Sequence, residues 1–177
     1  MFKEYGACAD MIAPDVDEAV PAGAKPHNAA MFLALKKALC AEKMAIAKGY
    51  ESGAIIVAAD TIVVCGGRII GKPAARKEAF EILKELCGKA HTVVTGVAVI
   101  AAGTEKRMAF YEESTVFFKN YTDEEINEYA DTPEPYDKAG GYAVQGAWGK
   151  YIDRVEGDTN NVIGFPMDLF LKKLQAF

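Results

Sequence analysis

The chain has 177 residues, 51% of them hydrophobic and 25% charged, a balance that excludes a disordered, collagen-like or membrane-embedded protein. At this length roughly 70% of the unfolded surface can be buried, which predicts one domain, or one with a small lobe, with a core that needs no disulfide or structural metal. Twenty basic against 25 acidic residues leave a net charge of −5, which argues against sequence-independent binding to nucleic acid or to an anionic membrane while leaving a small anionic ligand open.

The first segment, Phe2-Lys3-Glu4-Tyr5-Gly6, has the look of a last helical turn closed by glycine. A turn-rich acidic stretch, Pro14 to Glu18, and a Pro/Gly stretch, Pro21 to Pro26, follow. From Asn28 the spacing of Met31, Leu35, Ala38, Leu39, Met44 and Ile46 predicts a helix ending near Gly49. Ala54 to Ala59 reads as a strand buried on both faces, interrupted by Asp60 and Thr61 and resumed by Ile62 to Cys65. Gly66-Gly67 supplies a tight turn, with Arg68 to Ile70 returning alongside. Apolar residues at 75, 79, 82, 83 and 86 before Gly88 predict an amphipathic helix.

Thr92 to Ile100 and Arg107 to Lys119 read as strands joined by a turn, on their β-branched and aromatic content. Thr122-Asp123-Glu124-Glu125 is a capping box opening a helix that stops before Pro133. A Gly-rich passage runs from Ala139 to Gly149, then a strand over Tyr151 to Val155, a polar loop over Asp158 to Asn161, and a last helix from Pro166. The class is α/β, with a mixed sheet flanked by helices in a single domain over 1–177.

Four cysteines, at 8, 40, 65 and 87, form no C-x-x-C pair and no zinc spacing, so they read as reduced thiols. The start carries a charge pair where a secretory signal needs an apolar stretch, and the longest apolar runs are strand-sized. A cytoplasmic location without membrane contact is the expectation.

Asp60 is the strongest physical anomaly. A carboxylate interrupting an apolar run must be hydrogen-bonded, metal-bound or aimed into a cleft, and a buried structural Asp satisfies the same pattern. Gly66-x-x-x-x-Gly71-Lys72 imitates a phosphate-binding loop, but Pro73 replaces the Ser or Thr and the loop lies between strands, so only a point-charge role for Lys72 survives beside that of an exposed turn lysine. His27 and His91 are isolated and read as structural or surface residues. Neither a nucleophile elbow nor a dinucleotide fingerprint is present. Asp137-Lys138-Ala139-Gly140-Gly141-Tyr142 with Gln145-Gly146 suits a ligand-shaping loop; Gln145 can pair with a base edge or satisfy loop backbone. Asp15, Asp17 and Glu18 can offer oxygens to Mg²⁺ or Mn²⁺, or form a solvated acidic loop.

Taken together, Ala59-Asp60-Thr61, Gly71-Lys72-Pro73, His91 to Val97, Asp137 to Tyr142, Val144-Gln145-Gly146 and Asn161 to Pro166 resemble, in order and spacing, the Maf family of nucleoside triphosphate pyrophosphatases. The resemblance implies a Maf/ITPase-like sheet with a nucleotide-binding cleft and a house-cleaning activity that hydrolyses non-standard or surplus triphosphates to monophosphate and pyrophosphate with Mg²⁺ or Mn²⁺. It implies Asp60 as catalytic acid/base and metal ligand, Glu18 as a metal ligand, and Lys43 and Lys72 as phosphate-binding residues, with Lys36 and Lys37 one to two helical turns before Lys43. Thr61 and Gln145 match the base-selecting residues of the subgroup acting on dTTP and UTP rather than that acting on 7-methyl-GTP. Members are also linked to arrest of septum formation, and an open sheet edge makes a homodimer the default association.

The family begins with a strand and a Ser-x-x-Arg-type loop that contacts the triphosphate, and this sequence starts after that segment. The resemblance therefore implies either a Met1 internal to a longer protein or a natively short chain, with weaker triphosphate binding. Beside the enzyme stands an alternative: an impaired nucleotide-binding or regulatory protein.

Overall fold

A computed structural model describes residues 9–177; the helix end expected over Phe2 to Gly6 lies outside them. Helix α1 runs Pro26–Ala47. Its proline occupies the first turn, where no backbone N–H is needed. Strands β1 (Ile55–Cys65), β2 (Arg68–Ile70), β3 (Ala90–Ala101), β4 (Arg107–Phe118) and β5 (Ile152–Glu156) form one sheet in the order β2-β1-β3-β4-β5. Helices α2 (Arg76–Leu86), α3 (Asp123–Ala130), α4 (Thr159–Ile163) and α5 (Met167–Leu174) complete it.

The α/β class stands, but the mixed sheet does not: every pairing among the described strands is antiparallel. Hairpins explain two of them. Gly66 and Gly67 have φ of 57° and 77°, the backbone of the two-residue turn that matches strand twist, and so β2 folds directly back on β1. Nor do Asp60 and Thr61 interrupt β1. They pair in register with Gly96 and Thr95, because a ladder is held by backbone groups and tolerates a polar side chain wherever that side chain finds a partner.

Strand alternation sorts the core into two layers. The even-numbered residues Ile56, Ala58, Ala98 and Ile100 meet α1 through Ala34, Ala38, Ala41 and Ala45. On the other face, Val97 and Val99 pack on Phe110, Phe165 and Phe170, and Val63, Val93 and Val116 meet α2, α3 and an aromatic group of Phe118, Tyr121, Tyr129, Trp148 and Tyr151. The small residues of α1 let its axis approach closely. A β-carbon at Gly96 would lie 2.3 Å from the Ala30 carbonyl carbon, so glycine is needed where the helix crosses β3.

The predicted capping box is formed: Glu125 N–H donates to Thr122 Oγ1 at 3.3 Å and Thr122 N–H to Glu125 Oε2 at 2.8 Å. The polar loop expected over Asp158 to Asn161 is instead the start of α4, capped by Asp158, whose Oδ1 accepts from Asn160 N–H at 2.8 Å. The Gly-rich passage holds two short turns, Ala139–Gly141 and Ala147–Tyr151, after a third at Glu134–Asp137. Among the described residues no helix is long and apolar enough to cross a membrane.

Candidate active site

β2 pairs only with Val63–Cys65, which leaves the outer edge of β1 without a strand from Ile55 to Ile62 among the described residues. A cleft of about 240 Å³ opens across that edge, lined by Lys37, Asp60, Thr61, Lys72, Tyr142 and Gly164 among others. Neighbouring residues of a strand face opposite sides. Asp60 accordingly turns toward α1 and Thr61 toward α4, and the open edge lets one cleft reach both.

The Asp60 carboxyl is 11% exposed and accepts a hydrogen bond at Oδ1 from Lys37 Nζ. The same ammonium stands 2.9 Å from Glu18 Oε1, and Glu18 Oε2 lies 3.6 Å from Lys72 Nζ. Four charged side chains from three distant parts of the chain and the β2–α2 loop thus meet at the cleft mouth. Burial pushes the Asp60 carboxyl above the usual carboxylate range, with Lys37 only partly offsetting it. For Lys37, burial works to lower the ammonium but is outweighed by the bonds to Asp60 and Glu18, which hold it above its ordinary value. The bond from Lys37 draws the half-exposed Glu18 down. A carboxylate with a raised affinity for protons beside fixed cations is suited to accept a proton next to an anionic substrate.

Lys43 is exposed on α1, away from the cleft lining. Six residues separate it from Lys37, about 240° around the helix, so the two cannot face the same site and Lys37 takes the place expected for Lys43. A signal for Lys37 does exist in the sequence. It falls at helical spacing among Ala30, Ala34 and Ala41, all buried, and a cation in a stripe of small core residues requires an anionic partner across the interface.

Gln145 is exposed and lines a second cleft of about 220 Å³ with Glu134 and Gly146. The two clefts share Lys138, Tyr142, Val144, Val162 and Ile163 as walls, so Gln145 and Asp60 belong to adjoining compartments of one depression. The Gly-rich loop is tied to the Lys72 loop by Gly140 N–H donating to Gly71 O at 3.1 Å. Tyr142 is held from behind by His91, Nε2 to hydroxyl 2.7 Å, which makes His91 part of the wall's support. His27 stacks on Tyr111 at 4.9 Å.

Thr61 Oγ1 lies 2.8 Å from Thr95 Oγ1, and Thr95 donates to the Asn161 carbonyl at 3.0 Å. Reading strands for their apolar alternation passes over Thr95 and Asn161, both wholly buried. A Thr opposite a Thr in adjacent strands was the available sign.

Among the described residues no group of three His, Cys, Asp or Glu gathers as a metal site by itself. Asp60 and Glu18 nonetheless converge on one cation, the Lys37 ammonium. Two carboxylates around one cationic position are a donor set that Mg²⁺ or Mn²⁺ accepts when substrate phosphates complete the shell, so the residues fit such an ion.

Comparison with known proteins gives a concordant result. The dTTP/UTP pyrophosphatase of Pelotomaculum thermopropionicum is 40% identical over 177 residues, 100% of this chain and 90% of that protein. That of Caldanaerobacter subterraneus subsp. tengcongensis is 44% identical over 153 residues, 86% of this chain and 71% of that protein. One from Bacillus cereus is 40% identical over 168 residues, 95% of this chain and 84% of that protein. The sequence model described as "Maf-like protein" matches residues 1–177, and with relatives at this identity over most of both chains, this protein belongs to the Maf family.

Proposed function

We propose that the protein, acting as a single Maf-like domain, hydrolyses dTTP and UTP to the monophosphate and pyrophosphate. The observation that carries this reading is the Asp60 carboxyl, only 11% exposed, at the mouth of a cleft with Lys37, Lys72 and Glu18 around it. The names of the relatives supply the substrates. Asp60 orients and deprotonates the water that attacks the α-phosphorus. Lys37 and Lys72 hold the phosphate oxygens and the departing pyrophosphate as point charges. Thr61 and Gln145, in adjoining compartments, contact the base.

A divalent cation, Mg²⁺ or Mn²⁺, would be held by Asp60 and Glu18 and would supply charge neutralisation of the phosphates. Two further readings belong here. The free thiols at Cys40, Cys65 and Cys87 suit a reducing cytoplasm, and the outer edge of β5 supports association into a homodimer.

Pyrophosphate release with Mg²⁺ and Mn²⁺ over dTTP, UTP, CTP, dGTP and 7-methyl-GTP tests the function. Turnover of dTTP and UTP is expected, and Asp60→Asn should lower it by about 10²-fold or more with nucleotide binding kept. Binding without turnover in the unaltered chain would leave a nucleotide-binding protein in place of the enzyme.

A further inference from the structure

Thr95 and Thr61 face each other across the β1–β3 ladder. Their hydroxyl oxygens are 2.8 Å apart, a distance at which either can be the donor. The second contact of Thr95 settles the direction. Its Oγ1 lies 3.0 Å from the carbonyl oxygen of Asn161, and a carbonyl can only accept, so the proton between them must be that of Thr95. A hydroxyl has one proton. Toward Thr61, Thr95 therefore has lone pairs alone, and Thr61 must be the donor. Reversing the pair would leave two oxygens in contact at 3.0 Å with no proton between them inside the core, where such a contact has no water to relieve it.

The relay is anchored at its far end. Asn161 Nδ2 donates to the Val93 carbonyl at 3.1 Å and to Ser114 Oγ at 3.0 Å, and Ser114 donates onward to the Asp158 carbonyl at 2.9 Å. Asn161 thus cannot shift its carbonyl away from Thr95 without breaking buried bonds. At the near end the hydroxyl of Thr61 is left open: Gly164 has no side chain, and a β-carbon there would stand 3.7 Å from Thr61 Oγ1.

We infer that Thr95 is a positioning residue that fixes the Thr61 hydroxyl as a hydrogen-bond acceptor toward the cleft, so that the site favours pyrimidines carrying a ring N–H, uracil and thymine, over cytosine. The inference rests on the nucleotide reading above. Uracil and thymine present an N3–H donor to such a hydroxyl, whereas the N3 of cytosine is an acceptor and would set lone pair against lone pair. Were Thr61 free to rotate it could serve both, and the discrimination would fade. A site built to receive a donor rejects a ligand lacking it because the buried acceptor is then unpaired.

Calorimetric binding of UMP and CMP, neither of which has an anhydride to cleave, separates this inference from the proposed hydrolysis. The unaltered chain should bind UMP more tightly than CMP by about tenfold or more. Thr95→Val, which keeps shape but removes the relay, should bring that ratio down by about tenfold, while Thr95→Ser keeps it. If Thr95→Val does not fold, Thr95→Cys, with its weak donor, should give an intermediate ratio. The same variants assayed for UTP and CTP turnover should change the KM ratio more than kcat. Equal binding of UMP and CMP by the unaltered chain, a ratio unmoved in folded Thr95→Val, or a ratio lost in Thr95→Ser would overturn the inference. Absence of turnover with the UMP preference intact would count against the hydrolysis alone.

Discussion

Gly96 stands directly opposite Asp60 in the β1–β3 ladder, and its missing side chain is filled by the backbone of α1 at Ala30 and Met31. One position thereby sets the height of α1 over the sheet, and with it the place of Lys37, two turns further along the helix. Gly96→Ala would put a β-carbon 2.3 Å from a backbone atom, and neither backbone can give way as a flexible side chain could. We expect a loss of about 1–3 kcal/mol in stability from overpacking, seen as a lower urea midpoint, and a fall in kcat larger than in Thr122→Ala, a variant of equal or smaller stability loss remote from the cleft. A Gly96→Ala protein of undiminished stability would refute this account of the helix–sheet contact.

Lys37, rather than Lys43, should matter to catalysis. Lys37→Met leaves the 11%-exposed Asp60 carboxyl without its cation. Burial already raises that group and Lys37 is the main influence lowering it, so removal of the cation raises it further. Because a general base works when deprotonated, the acid limb of kcat/KM is expected to move to higher pH, with a drop in kcat of about tenfold or more near neutrality. Lys43→Met is expected to leave the profile where it is. Identical pH profiles for Lys37→Met and the unaltered protein would remove Asp60 from the role of base.

What could be read from the chain and what could not divide along a physical line. The helices at 76–86 and 123–130 and the hairpin at Gly66-Gly67 were legible because local rules suffice: apolar spacing, a reciprocal cap, two glycines with positive φ. Asp60 was legible as an anomaly for the same reason. The lysine that meets it was legible only in part: Lys37 falls at helical spacing among Ala30, Ala34 and Ala41, but choosing it over Lys36 and Lys43 requires knowing which side of α1 is buried, and α1 has apolar residues on more than one side, with Phe32, Leu39 and Ile46 exposed. The direction of every strand pair was likewise beyond local reading. So was the short α4, where Asp158 and Asn161 look like loop residues because one caps the helix and the other spends its side chain on Val93 and Ser114 across the sheet.

The capping box of α3 offers a stability change separable from function. Thr122→Ala removes the acceptor for Glu125 N–H and should cost about 1 kcal/mol. Turnover should stay within about twofold of the unaltered protein at a temperature where both are folded, as α3 contributes no residue to either cleft. A larger fall in turnover would mean that α3 transmits strain to the Glu134–Tyr142 loop it leads into.

His91 should make the fold sensitive to acid. The residue is 2% exposed, bonded to Tyr142 and packed against Phe118 at 4.9 Å, and burial holds its imidazole down from 6.5 to about 4. Between those values the unfolded chain carries the proton and the folded chain does not, so the unfolded state binds more protons and stability rises with pH across the window. Its contribution is full above about pH 6.5 and is lost as the pH falls toward 4, roughly 3 kcal/mol in all. His91→Phe abolishes the titration and leaves the Tyr142 hydroxyl without its partner, a cost of about 1–3 kcal/mol that does not vary with pH in this range. The variant should therefore be the less stable protein near pH 7 and should close or reverse that gap near pH 4.5, as read from urea midpoints. A gap of the same size at both pH values would show that His91 becomes protonated in the folded state, with Tyr142 turning to accept rather than donate.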